Sequence, residues 1–153
     1  WCAGRAAHPG VLEDYANLSR AALALHQATD DEAYLSRAKS LVDVLNQHFW
    51  DDANGGYFMA ADDTPDLLTR SKPIHDNAVP AGNGIMLEVL ARLHHVTGDG
   101  TYRDRADALI ASLTPEEPAH LAHQPTFLTG FEILENAVQV TIAVADAYFS
   151  RQP

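Results

Sequence analysis

Between Ser71 and Gly84 the chain reads SKPIHDNAVPAGNG, which gathers His75, Asp76, Asn77 and Asn83 among two prolines and two glycines. A second polar group, Glu13-Asp14-Tyr15, lies upstream, and Asp14 stands 68 positions before Gly82. Two carboxylates at a shared site are the equipment of glycoside chemistry, one as acid and one as base or nucleophile. A histidine beside them can carry a proton in an epimerisation. Asp14 and Asp76 are therefore the acid–base candidates, with Glu13, Tyr15, His75, Asn77 and Asn83 as groups that would bind and orient a ligand. A plainer alternative stands beside this one. Acidic residues in a first helical turn complement the helix dipole and cap it, and His75-Asp76-Asn77 can be a turn that satisfies its own backbone.

Other candidates carry less. His94-His95 are adjacent on a helix and point apart, and His120-x-x-His123 lies in a proline-rich loop without a nearby third ligand, so no metal site is expected. Trp50, Tyr57 and Phe58 can stack on a sugar, but packing within a small hairpin suits them better. There is no phosphate loop, no Gly-x-Ser-x-Gly and no dinucleotide fingerprint, so no cofactor is expected.

The elements that would position these groups follow from hydrophobic period. Leu12 to about Ala28 reads as a helix with the stripe Tyr15, Leu18, Ala22, Leu25; Arg20 is its only charge after Asp14, which predicts burial on most sides. About Asp31 to Trp50 is amphipathic, with Tyr34, Ala38, Leu41, Val42, Leu45 and Phe49 on one face. Tyr57-Phe58-Met59 and Leu67-Leu68-Thr69, each preceded by turn residues, predict a small β-hairpin. A nearly uncharged helix from Ala81 or Gly82 to Val96 comes next, then an amphipathic one from about Thr101 to Leu113. Thr126 to Asn136 reads as helix. Val138, Val140, Ile142 and Val144 alternate with other residues as a strand would, although a helix running to Phe149 fits as well.

The sequence repeats itself. Thr29, Asp31, Tyr34, Arg37 and Ala38 recur as Thr97, Asp99, Tyr102, Arg105 and Ala106, all at an offset of 68. The unit is a buried helix, a tight turn, an amphipathic helix and a long return. No match occurs at half that period, so a plain two-layer solenoid does not fit. Alternating buried and amphipathic helices suit two concentric rings, a partial (α/α) toroid, because one unit cannot bury its own apolar faces. In that arrangement the long connections enter the N-termini of the inner helices, where unpaired N–H groups gather and favour oxygen-rich ligands.

Composition narrows the partners. The 153 residues fit one domain, and 46% hydrophobic against 20% charged residues is a globular balance. A net charge of −11 without a basic patch argues against nucleic acid, since Arg103 and Arg105 are interleaved with Asp104 and Asp107. No apolar run suggests a membrane span or signal peptide, so a cytoplasmic location is expected. The single Cys2 excludes an internal disulfide, and the start at Trp1-Cys2 rather than Met suggests a piece of a longer protein.

GRAAHPGVLEDYANL (Gly4 to Leu18), FWDDANGGYF (Phe49 to Phe58) and HDNAVPAGNG (His75 to Gly84), in this order, resemble the C-terminal helical region of the thioredoxin-domain-containing, YyaL-like proteins, a family that includes the spermatogenesis-associated proteins of animals. The resemblance covers about residues 4 to 145. It implies a six-hairpin glycosidase-like toroid related to N-acylglucosamine 2-epimerases, of which residues 1–137 are a part and 138–153 a C-terminal strand or tail. A thioredoxin-like domain and earlier hairpins would lie outside this chain. Asp14 and Tyr15 match the family's Asp-Tyr-Ala motif, and Asp76, Pro80, Gly82 and Asn83 its Asp-x-x-x-Pro-x-Gly-Asn motif; His75 departs from the aromatic residue found in many relatives. The expected function is that of a carbohydrate-processing protein of glycosidase or epimerase type, with a sugar ligand, and this part of it inactive alone. The alternative is a non-catalytic module that docks the thioredoxin-like domain. An open ring edge would leave apolar faces exposed and promote self-association.

Overall fold

The computed structural model describes residue 4 and residues 9–65, 67–114, 122–138 and 140. Its helices are α1 (Leu12–Thr29), α2 (Glu32–His48), α3 (Gly82–Thr97), α4 (Gly100–Leu113) and α5 (Pro125–Asn136). Two-residue connections fold α1 with α2 and α3 with α4 into hairpins. Helix α3 lies between α1 and α5, so α1, α3 and α5 form an inner row, with α2 and α4 behind it.

Helix α3 differs from the outer helices as its charge pattern predicts, whereas α1, expected to be buried on most sides, buries a single face. Every residue of α3 from Gly82 to Ala91 is buried, including Asn83 and Glu88. Fully burying Ile85, Met86, Leu87, Val89, Leu90 and Leu93 contributes about 1.5–3 kcal/mol for each of the larger side chains. Helices α2 and α4 bury one stripe each: Leu35, Ala38, Leu41, Val42 and Leu45 on the first, Ala106, Leu109 and Leu113 on the second. Close approach within the inner row needs glycine at Gly130. A Cβ there would stand 2.7 Å from Glu88 N and 2.9 Å from Leu87 Cγ, so any side chain would push α5 off α3.

The repeat is structural, down to the atoms of its turns. Asp31 and Asp99 cap α2 and α4 by accepting from Ala33 N and Thr101 N, each at 2.9 Å. Thr29 and Thr97 donate to Leu25 O and Leu93 O, each at 2.7 Å. His26 and His94, also 68 apart, donate from Nδ1 to the carbonyls of Asp31 and Asp99 at 3.2 and 3.1 Å. Both turns pass through the left-handed region, at Asp30 (φ 58°) and Gly98 (φ 70°). Only the second copy uses the residue that tolerates that conformation without steric cost.

Two expectations are corrected. The β-hairpin is absent: among the described residues the only β pairing is an isolated Trp50–Tyr57 bridge. The backbone groups that would form a ladder are taken elsewhere. Tyr57 N and O bind the Asn83 amide, Met59 O accepts from Leu12 N, and Arg70 holds the carbonyls of Ala60 and His48. Leu68, the middle residue of the expected second strand, is fully exposed.

The buried face of α1 is also shifted from the expected stripe. It comprises Leu12, Ala16, Ser19, Ala22 and Leu23, whereas Leu18 and Leu25 are 58% and 45% exposed. Ser19 tolerates burial because its hydroxyl donates to Tyr15 O at 2.8 Å. Val138 and Val140 lie in no regular element; the rest of the 138–149 stretch, read as strand or helix, lies outside the described residues.

Candidate functional site

The N-termini of α1, α3 and α5 meet at one end of the inner row, and the long 49–81 connection closes over them. Asp76 ties this end together. Its N–H donates to His123 O (2.9 Å), while its two carboxylate oxygens accept from Ala81 N and Thr126 N, each at 2.7 Å. One side chain thus satisfies an orphan donor at the start of two helices. Both contacts are charge-assisted, hence short.

Asn83 performs a similar duty on the other side. Its Oδ1 accepts from Tyr57 N (2.8 Å), and its Nδ2 donates to Tyr57 O (2.9 Å) and Pro73 O (3.0 Å). The residue is fully buried. Tyr57, also fully buried, donates from its hydroxyl to Asn46 Oδ1 at 2.7 Å, and burial pushes its phenol well above the usual tyrosine range.

The acidic pair at the start of α1 divides its roles. Asp14 is exposed and accepts from Val11 N at 3.0 Å through Oδ2, a cap that leaves Oδ1 without a partner among the described residues. Glu13 turns inward instead. A Cβ built on Gly82 would lie 3.3 Å from its Cδ, so its carboxyl group sits against the first turn of α3. Its Oε2 is buried with no hydrogen-bond partner among the described residues. Tyr15 packs on Phe49, with ring centroids 5.5 Å apart, and is half-buried. His75 and Asn77 are exposed at the rim, where the His75 ring stands edge-on to His123 at 6.3 Å.

The structure therefore brings Glu13, Asp76 and Asn83 around the start of α3, with Asp14 on the outer side and His75 and Asn77 at the edge. It adds one residue that sequence reasoning missed. Gln124, the N-cap residue of α5, is fully buried, and neither atom of its amide has a partner among the described residues. A glutamine just before Pro125, where Ser, Thr, Asp or Asn is the ordinary cap, is the signal that pointed to it.

The neighbouring connection is held by ion pairs of its own. Lys72 binds Asp51 and donates to Gly55 O at 2.7 Å; that Lys72 contact holds the Asp51 carboxyl well below the usual carboxylate range. A cleft of about 670 Å³ runs between this loop and α4, past Trp50, Asp52, Asn54 and Arg105. A second, of about 860 Å³, lies at the opposite end of the inner row beside Leu23, His26, Arg92 and His95. Neither opens at the inner-helix N-termini.

No family model matches the chain. Over 106 residues, 69% of its length, it is 36% identical to spermatogenesis-associated protein 20 of Rattus norvegicus and of Homo sapiens. Over 95 residues it is 30% identical to an uncharacterized protein of Caenorhabditis elegans. The chain spans only 13–14% of the length of these relatives. Among solved structures it superposes on an α-mannanase of glycoside hydrolase family 76 from Bacteroides thetaiotaomicron, with TM-score 0.58 and 20% identity, over 67% of this chain and 27% of that one. A family 76 mannosidase from the same species gives TM-score 0.61 at 18% identity, over 78% and 36%. A further family 76 glycoside hydrolase gives 0.63 at 15%, over 85% and 32%. The fold is similar to that of the six-hairpin glycosidase toroids. At these identities the likeness speaks to the fold alone. Among the described residues no helix is long and apolar enough to cross a membrane.

Proposed function

We propose that this chain is part of a carbohydrate-processing (α/α) toroid, of glycosidase or epimerase type, and that its ligand-facing end is where α1, α3 and α5 begin. One observation carries this reading. Among the described residues, the buried side-chain atoms without partners are Glu13 Oε2 and the two amide atoms of Gln124. They mark the starts of the two inner helices that flank α3: Glu13 lies in the first turn of α1 and Gln124 is the N-cap of α5. Leaving a buried polar group unsatisfied costs about 1–3 kcal/mol, more when it is charged, so each of these groups calls for a hydroxyl-rich occupant or water. A sugar supplies paired donors and acceptors of that kind.

In this proposal Asp14, whose Oδ1 has no partner among the described residues, is the acid–base group with Glu13 beside it. Asp76 carries the second carboxylate and fixes both helix ends. Asn83 shapes the site through the 57–73 connection, and Tyr15, His75 and Asn77 form its rim. Earlier hairpins and a thioredoxin-like domain of the longer protein would complete it, and residues 138–153 would form a tail beyond the ring. The test is a thermal-shift panel of mono- and disaccharides, α-mannosides and N-acylated glucosamines included, on the chain and its Glu13→Gln and Asp14→Asn variants. A sugar that raises the melting temperature of the chain and not of folded Glu13→Gln supports the assignment.

A second reading has its own observation. Every hydrogen-bonding atom of the Asn83 side chain, and both carboxylate oxygens of Asp76, are committed to backbone groups. A scaffold that docks a thioredoxin-like domain needs that rigidity and no free catalytic group. Absence of any sugar response, together with saturable binding of the thioredoxin-like domain, would favour it.

A further inference from the structure

Outside the inner-helix end, one cluster of ligating side chains has no part in the proposed function. His48 is the last residue of α2, and its carbonyl is among those left without a helical partner. Asp62 N donates to that carbonyl at 2.9 Å and Arg70 Nη2 at 2.7 Å. These backbone contacts fasten the 60–63 turn to the end of α2, whether or not the side chains interact. They place Asp62 Oδ1 2.9 Å from His48 Nδ1 and bring Asp63 alongside, so that one ligand atom from each residue lies within 4.8 Å of the others. The His48 side chain is 33% exposed and that of Asp62 54%, which leaves room for water.

We infer that His48, Asp62 and Asp63 form an open binding site for a first-row divalent cation such as Zn²⁺. Ligand atoms about 2.0–2.1 Å from such an ion stand about 3 Å apart along an edge of its coordination polyhedron. The His48–Asp62 separation already meets that spacing, and an Asp63 oxygen stands within 4.8 Å of both as the third ligand. One imidazole nitrogen with two carboxylates selects a borderline ion over Ca²⁺ or Mg²⁺, which prefer all-oxygen shells. Two negative charges balance the ion, and water fills the remaining positions. The Arg70 guanidinium, anchored on His48 O and Ala60 O and stacked 4.1 Å above the Phe58 ring, is a fixed positive charge nearby. It opposes the ion, so the site is a moderate binder rather than a structural zinc centre.

Calorimetric titration of the metal-free chain with Zn²⁺, and separately with Ca²⁺, tests this. Saturable binding of one Zn²⁺ per chain is expected, with Ca²⁺ bound far more weakly. Asp63→Asn removes only an exposed ligand and should weaken Zn²⁺ at least about tenfold, while His48→Ala should abolish the event. A His94→Ala/His95→Ala variant should bind like the parent chain. If Zn²⁺ does not saturate at millimolar concentration, the assignment is wrong. It is equally wrong if folded Asp63→Asn binds as the parent does, or if binding disappears with His94 and His95 instead.

Discussion

Replacing Asn83 by alanine removes three hydrogen bonds at once, and all three partners are backbone atoms. Tyr57 is fully buried, so its N–H and carbonyl would lose their partners without access to water. Each such orphan costs about 1–3 kcal/mol. The Pro73 carbonyl is only half-buried and can be hydrated, so it adds little. Alanine returns less than about 1 kcal/mol through helix propensity. The net expectation is a loss of about 3 kcal/mol. With a urea slope of about 1–3 kcal/mol per molar, that moves the unfolding midpoint down by about 1–3 M. Urea unfolding followed by circular dichroism and by tryptophan fluorescence reads it. Trp50 packs edge-on against Tyr57 at 4.9 Å, so its emission reports directly on the latch. Asn83→Asp keeps the acceptor for Tyr57 N but turns oxygen toward the two carbonyls, and should be at least as damaging. A loss below about 1 kcal/mol in Asn83→Ala, with Trp50 emission unchanged, would refute the claim that this amide organises the connection.

Further outcomes follow from the same contacts. The carboxyls of Asp51, Asp62 and Asp99 are held low by Lys72, His48 and the Thr101 amide respectively, so they contribute stability above their unfolded value of 3.8. That contribution should fade as pH falls below this value, and Asp51→Asn should flatten part of the decline in an acid titration of melting temperature. Tyr57 behaves oppositely: its raised folded value means stability should drop as pH rises past the unfolded value of 10.0. At the paired turns, Gly98→Ala should cost about 1 kcal/mol by urea unfolding, whereas Asp30→Gly should be neutral or stabilising, because only Asp30 now bears a side chain in the left-handed region. Leu18 and Leu25 on α1, with Leu128 and Phe131 on α5, are exposed apolar residues on the two outermost helices of the inner row. Sedimentation should show concentration-dependent association of the chain that Leu18→Glu/Leu25→Glu reduces.

All five helices were legible in the sequence through their apolar period, sharpened by the Asp31 and Asp99 caps and by the glycine stop at Gly98. The repeat was legible too, through Thr29, Asp31 and Tyr34 and their counterparts. The histidines at 26 and 94 were equally visible at the same offset, but only the turn geometry gives them a reason. The false hairpin shows where local reading ends. Tyr57-Phe58-Met59 has strand composition, yet its backbone is claimed by Asn83, 26 residues away, and by Leu12. Window-based reasoning cannot see such competitors. The face of α1 was misplaced because Tyr15, Leu18, Ala22 and Leu25 form a more apolar stripe than the buried one, which includes Ser19. At the candidate site, the residue types drew the eye to Asp76 and Asn83. Their detailed employment, and the isolation of Glu13 and Gln124, depend on contacts between helices far apart in sequence.

The most direct measurement is a map of backbone amide shifts in the isotopically labelled chain as an oligosaccharide from the panel is titrated. The account predicts that the shifts concentrate at residues 11–15, 75–84 and 122–127, and vanish in Glu13→Gln. Shifts confined to the cleft beside Trp50 and Arg105, or to the opposite end beside His26 and His95, would contradict it.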